Sequence, residues 1–175
     1  MGLDMFLERK KMAYWHGRES WNEENQNPHG LPDGIFFESS EVTQCVAHWR
    51  KANQIHSYFV NTIGYGKDDC EPIHVEKENI EKLLKICKIL LNLLSETVND
   101  PELYEKIVSM GVVWNAPAEL ENFCKEMLPT QDGFFFGDTR YNESYFYDLK
   151  STMEMLSVVF EKWDDEWEYK YVASW

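Results

Sequence analysis

Apolar positions recur most regularly in residues 77–95, where Ile80, Leu83, Leu84, Cys87, Leu90, Leu91 and Leu94 repeat at intervals of three and four and Lys and Glu fill the gaps. At 3.6 residues per turn this spacing lays one apolar stripe along a helix. The same reading predicts a helix over residues 41–61, N-capped by Ser39 or Ser40, with Val42, Cys45, Val46, Trp49, Ala52, Phe59 and Val60 inward and a stop near Gly64. A third helix is predicted over residues 142–161, with Tyr145, Leu149, Met153, Leu156 and Phe160 facing the core. Pro101 and Pro117 each stand where a first helical turn tolerates proline, which predicts short helices through Ser109 and Met127. Residues 3–9 and 167–175 alternate and read as strands, as do residues 73–75 and the glycine-flanked Phe134, Phe135 and Phe136. Segregated elements of both kinds predict the α+β class: amphipathic helices packed on a small, mainly antiparallel sheet. One domain over residues 1–175 is expected, with the first and last strands neighbours in the sheet.

Residues 11–33 break the pattern. They are rich in Asn, Glu, Gly and Pro, with Trp15 and Trp21 as the large side chains, and read as a variable, mobile excursion within the domain. Leu31-Pro32-Asp33-Gly34-Ile35-Phe36-Phe37 echoes the stretch from Leu128 to Phe136, but the match is confined to strand and turn, so shared turn chemistry explains it better than duplication does.

Charge narrows the range of partners. The chain holds 31 acidic and 17 basic residues, a net charge of −14, and residues 111–175 alone carry 13 acidic against 5 basic. Such a field repels phosphate backbones, so direct nucleic-acid binding is not expected, whereas a basic protein surface is a fitting partner. The longest apolar run, Ile89 to Leu94, is interrupted by Asn92, and the first residues lack the pattern of a secretory signal. A cytoplasmic protein without membrane contact is therefore expected. Cys45, Cys70, Cys87 and Cys124 form no C-x-x-C pair, and neither Cys45-x-x-His48 nor Cys70-x-x-x-His74 is matched by a second ligand pair. Free thiols, no metal and no cofactor follow as expectations.

Candidate chemistry is confined to two places. On the helix predicted over residues 41–61, Val42, Trp49, Asn53, His56 and Val60 share one face, which puts Asn53 and His56 in the apolar stripe, with Arg50 and Ser57 at its edge. Buried polar groups need partners, so Asn53 and His56 either hold a structural network or line a pocket. In the second case Trp49, Arg50, Asn53 and His56 offer a ring, a fork of donors, an amide and a titratable imidazole to a small anionic or nucleotide-like ligand. Asp138 follows the phenylalanine segment beside Thr139 and Arg140; it is a candidate ligand contact and equally a residue of the next helix's cap. Asp68, Asp69 and Glu71 lack the spacing of a calcium loop and read as a solvated turn. No hydrolase, metalloprotease or dithiol motif is present.

Together Met1-Gly2-Leu3-Asp4-Met5-Phe6-Leu7, Trp49-Arg50-Lys51-Ala52-Asn53 with Ile55, His56, Phe59 and Val60, Leu128-Pro129-Thr130 with Gly133-Phe134-Phe135-Phe136-Gly137, and the Ser174-Trp175 ending resemble a family of uncharacterised proteins of tailed phages, prophages and bacteria. The resemblance covers most of the chain, departing at residues 11–31 and 112–118. That family has no assigned activity, so the resemblance carries over no functional residues. It implies an accessory intracellular role, acting on a host system. The expected function is that of a non-catalytic binding module for a small anionic ligand or a host protein with a basic surface. The alternatives are an acidic mimic of nucleic acid that inhibits a host enzyme, and an enzyme of unrecognised type.

Overall fold

The computed structural model describes residues 2–14 and 39–175. Most of the predicted excursion, and the first half of the Leu31 echo, lie outside these residues. Strands β1 (Asp4–Tyr14), β2 (Ser39–Arg50), β3 (Ile73–Val75) and β4 (Glu168–Ser174) pair antiparallel in the spatial order β2-β1-β4-β3. Asp4 stands opposite Ser174, so the first and last strands are neighbours as expected. Residues 11–14, assigned from sequence to the excursion, continue β1 instead, because β2 offers them partners as far as Tyr14 and Ser39.

The sheet buries one face. Met5 pairs with Trp49 and Ala173, and Leu7 pairs with Ala47 and Tyr171, so these side chains point the same way into the core. On the other face His48 is exposed and stacks on Phe6, with ring centroids 4.8 Å apart. A bulge between Leu7 and Glu8 leaves Val46 without an opposite residue. The core on this face is shared by helices α1 (Asn53–Ser57), α2 (Lys77–Val98), α3 (Pro101–Val108), α4 (Ala118–Met127) and α5 (Glu143–Glu161). The α+β architecture read from the sequence is the one the chain adopts.

Helix α2 buries Ile80, Leu83, Cys87, Leu90, Leu91 and Leu94, the predicted stripe less Leu84, and ends at Asn99 in the left-handed region. In α3 the Asp100 carboxylate accepts hydrogen bonds from the Glu102 and Leu103 amides, with Pro101 at the first turn. Asn142 caps α5 in the same way through the Ser144 and Tyr145 amides.

Two further expectations are corrected. The helix predicted over residues 41–61 is a strand as far as Arg50, and α1 begins only at Asn53. Ala47 and Trp49 are buried while His48 and Arg50 are exposed, a period of two. The β-branched Val42, Thr43 and Val46 suit a strand, and the long partner edge of β1 decides between two periodicities that the local sequence allows equally. Lys51, at φ 60°, turns the chain between strand and helix. A π-helical turn, Tyr58–Ile63, then carries α1 onward, with the Gly64 amide donating to the Phe59 carbonyl. The second correction concerns Phe134–Phe136, which form a turn. Phe134 is fully exposed and Phe136 buried, and one hydrogen bond, from the Leu3 amide to the Phe135 carbonyl, joins the segment to the residues before β1. Gly137 is required there: its φ is +91°, and a Cβ would lie 3.1 Å from Lys51 Cβ.

Candidate functional site

The chain concentrates buried polar side chains in α1, where Asn53, Gln54, His56 and Ser57 are all buried. The Asn53 amide donates from Nδ2 to the carbonyls of Phe136 (3.1 Å) and Asp138 (2.8 Å), and its Oδ1 accepts from the Gln131 amide (3.1 Å). One side chain thus supplies the hydrogen bonds that a strand neighbour would have given the phenylalanine turn. Those bonds explain why that turn can be buried at Phe136 without joining the sheet.

His56 is 1% exposed and bonded at both ring nitrogens: Nε2 lies 3.0 Å from Asp68 Oδ1 and Nδ1 lies 2.7 Å from the Tyr171 hydroxyl. An ionised carboxylate can only accept, so Nε2 carries the proton and Nδ1 accepts from the tyrosine. Burial holds the Tyr171 hydroxyl well above its ordinary pKa, which keeps it a donor. Burial also lowers the His56 pKa, outweighing the opposing pull of the Asp68 hydrogen bond and charge. The imidazole is neutral at pH 7. The other Asp68 oxygen accepts from Gln131 Nε2 at 3.0 Å, so a continuous path runs from Tyr171 in β4 through His56, Asp68 and Gln131 to Asn53. It joins β4, α1, the loop over residues 64–72 and the loop over residues 128–141. Within it, Gln131 Oε1 is buried with no partner among the described residues.

The five residues singled out from sequence are only partly brought together. Asn53 and His56 share the path, and Asp138 meets it through its backbone carbonyl. The Asp138 carboxylate faces away, held by Arg140 (Nη2 to Oδ2, 2.6 Å) and accepting from Asn142 Nδ2 at 2.8 Å, where it steadies the α5 cap. The Arg140 hydrogen bonds hold its carboxyl below the ordinary carboxylate range. Trp49 is buried and donates from Nε1 to Thr152 Oγ1 in α5 at 2.9 Å. Arg50 lies on the opposite face of β2, its guanidinium exposed and 3.9 Å from Asp4. The expected helical face of Trp49, Asn53 and His56, with Arg50 at its edge, is absent because Trp49 and Arg50 belong to a strand and point apart.

Asp68, Gln131 and Tyr171 escaped sequence reading, and Asp68 does not fit the solvated-turn expectation: its side chain retains 25% exposure and binds His56. Asp148 also escaped. Gln54 Nε2 donates to its Oδ2 at 3.0 Å, and burial raises its pKa to about 7 against the smaller lowering pull of that hydrogen bond. A signal for Asp148 existed, since it stands three residues after the inward Tyr145 and four before the buried Thr152.

Two clefts of about 540 Å³ each flank the network. One lies along the loop over residues 62–76, with Tyr65, Asp69, Glu71 and Glu76 in its wall. The other contains Thr130, Thr139, Tyr141, Lys125 and Arg140, but Lys125 is bonded to Glu121 at 2.6 Å and Arg140 to Asp138. An anion entering this second cleft must compete with both carboxylates. Neither cleft is lined by His56 or Asn53. No protein-family model matches the chain, and comparison with curated proteins and with solved structures finds no match. No described helix is long and apolar enough to cross a membrane.

Proposed function

We propose that this chain is a non-catalytic binding module whose partner is a protein with a basic surface. The observation that supports this reading most strongly is the state of its cations. Lys10, Lys85, Lys106, Lys125, Arg140, Lys150 and Lys170 are each in contact with a carboxylate of the same chain, and the chain still carries a net charge of −14. The charge left for a partner is therefore negative. A small anionic ligand, the other expectation from sequence, finds Arg50 dispersed onto the far side of the sheet and the second cleft's cations engaged. Catalysis receives no support from the buried path: His56 and Tyr171 are each 1% exposed, and their polar atoms satisfy one another. The path clamps two loops, and clamped loops present a binding surface without an ordering cost on association.

Calorimetric titration at low and high ionic strength, with an octa-arginine peptide in one arm and a nucleoside triphosphate in the other, tests the reading. Binding of the peptide that weakens steeply with salt is expected, because exposed charge pairs are screened. Binding of the nucleotide that is lost in Arg140→Ala, without binding of the peptide, would overturn the proposal in favour of an anion-binding role.

A further inference from the structure

Resting on that reading, we propose that the cleft along residues 62–76 seats an arginine side chain of the partner, its guanidinium against Tyr65 and bonded to Asp69 and Glu71. The cleft has the volume of a small-ligand site, about 540 Å³, and Ile63, Pro72 and Ile73 give part of its lining apolar surface. Its wall carries Asp69, Glu71 and Glu76 against one lysine, Lys67, and among the described residues none of these carboxylates is ion-paired. That sets it apart from the second cleft, whose cations are already neutralised.

The aromatic component is independent of the charge. Tyr65 lines the cleft yet is 94% exposed, so its ring covers no core surface and both faces are open to a ligand. Its backbone lies in the left-handed region at φ 56°, an unfavourable place for a tyrosine that no intramolecular ring contact among the described residues repays. The loop is held nevertheless: the Gly66 amide donates to the Val60 carbonyl at 2.9 Å, the Lys67 amide to the Gly64 carbonyl, and Asp68 to His56 fixes the next turn. An open aromatic ring in the same cleft as three carboxylates fits arginine best among side chains. Its planar guanidinium stacks on an aromatic face and forms paired hydrogen bonds to carboxylates, while its stem lies on apolar surface. Lysine offers a more strongly hydrated point charge and no plane to stack.

Amide NMR spectra of the full chain, titrated with a capped tripeptide bearing one central arginine and with its lysine and citrulline analogues, test the assignment. Saturable shifts confined to Thr62, Tyr65, Ile73 and Asn79 are expected for arginine, weaker ones for lysine and none for the neutral isostere citrulline. Tyr65→Ala should weaken the arginine peptide roughly fivefold, the worth of an exposed cation–π contact. Glu71→Gln should weaken it by a similar factor. Both side chains are exposed, so both variants should keep the wild-type spectrum elsewhere. Arginine-dependent shifts on another face, or equal binding by lysine, would overturn the assignment while leaving the basic-partner reading intact. Failure of even octa-arginine to shift any amide at low salt would overturn that reading as well.

Discussion

Asn53, Gln54 and His56 lie within a single turn of α1, all buried, yet the helix serves two polar regions that differ in kind. On one side, Asn53 and His56 meet partners at every side-chain polar atom, and the path passes through a carboxylate, Asp68, that remains one-quarter accessible. On the other, Gln54 offers Asp148 a single amide donor, and the carboxyl, largely shielded from water, is held as an acid up to about pH 7. The contrast shows that burial alone does not set the cost of a polar group. What matters is how many hydrogen bonds replace those to water and whether charge is needed to make them. The first region is a clamp, and the second is a reservoir of strain that depends on pH.

Removing the clamp should have the largest effect. Asn53→Ala deletes three hydrogen bonds and leaves two carbonyls and the Gln131 amide without partners, at a cost of about 3 kcal/mol. His56→Ala should cost about 2 kcal/mol through two lost hydrogen bonds and a small cavity. Urea unfolding of both variants measures this, and a loss below about 1 kcal/mol for Asn53→Ala would show that solvent replaces the bonds.

The opposite sign is expected in the second region. Asp148 has a folded pKa of about 7 against an ordinary 3.8, so it stabilises the fold fully below about pH 4, and that contribution drains away as pH rises through 7. Asp148→Asn keeps the acceptor for Gln54 and removes the charge. At pH 8 it should stabilise the chain by about 2 kcal/mol, roughly half of what the full shift converts to, because the carboxyl keeps some contact with water. At pH 4 the variant and the parent should unfold alike.

His56 runs the other way. Its folded pKa lies below the ordinary 6.5, so its contribution is present above that pH and is lost as pH falls through the folded value. In the parent chain the two slopes oppose each other from pH 6.5 down to the folded pKa of His56, which flattens stability over the range where each group alone would tilt it. Asp148→Asn should therefore uncover a decline on acidification, and adding His56→Gln should abolish it. Stability curves against pH for the single and double variants check this, and a flat curve for Asp148→Asn would show that His56 titrates without perturbation.

The two regions also differ in how far sequence reveals them. Asn53 and His56 are legible as polar residues in an apolar series, even though the element around Trp49 is a strand, because both fall within α1 and keep their helical spacing there. Their partners are not, since Asp68 sits 12 residues on in a turn and Tyr171 is 115 away on the last strand. Nothing local distinguishes such an aspartate from its solvated neighbour Asp69. The helices α2 and α5 and the pairing of first and last strands were readable because each rests on an amphipathic pattern of its own. Residues 41–50 satisfied two periods at once, and only the distant edge of β1 chose between them. On a helix Arg50 would border the face that carries Trp49, whereas the strand places the two on opposite sides.

That separation sets the smallest expected effect. Arg50 is exposed and lies 3.9 Å from Asp4, at the outer limit of an ion pair, on a face of the sheet remote from Asn53 and His56. An exposed pair of this geometry gains little Coulomb energy in water and orders a long side chain, so Arg50→Ala should change stability by less than about 0.5 kcal/mol. It should also leave the unfolding of Asn53→Ala and Asp148→Asn unshifted when combined with either, since residues without shared partners contribute additively. A helix through residues 41–61 would give a different result, because Arg50 would then border Asn53 and the double variant would couple. Denaturant unfolding of Arg50→Ala, Asn53→Ala and the double variant decides the matter: a coupling energy above about 0.5 kcal/mol would place Arg50 back beside the clamp and contradict the strand.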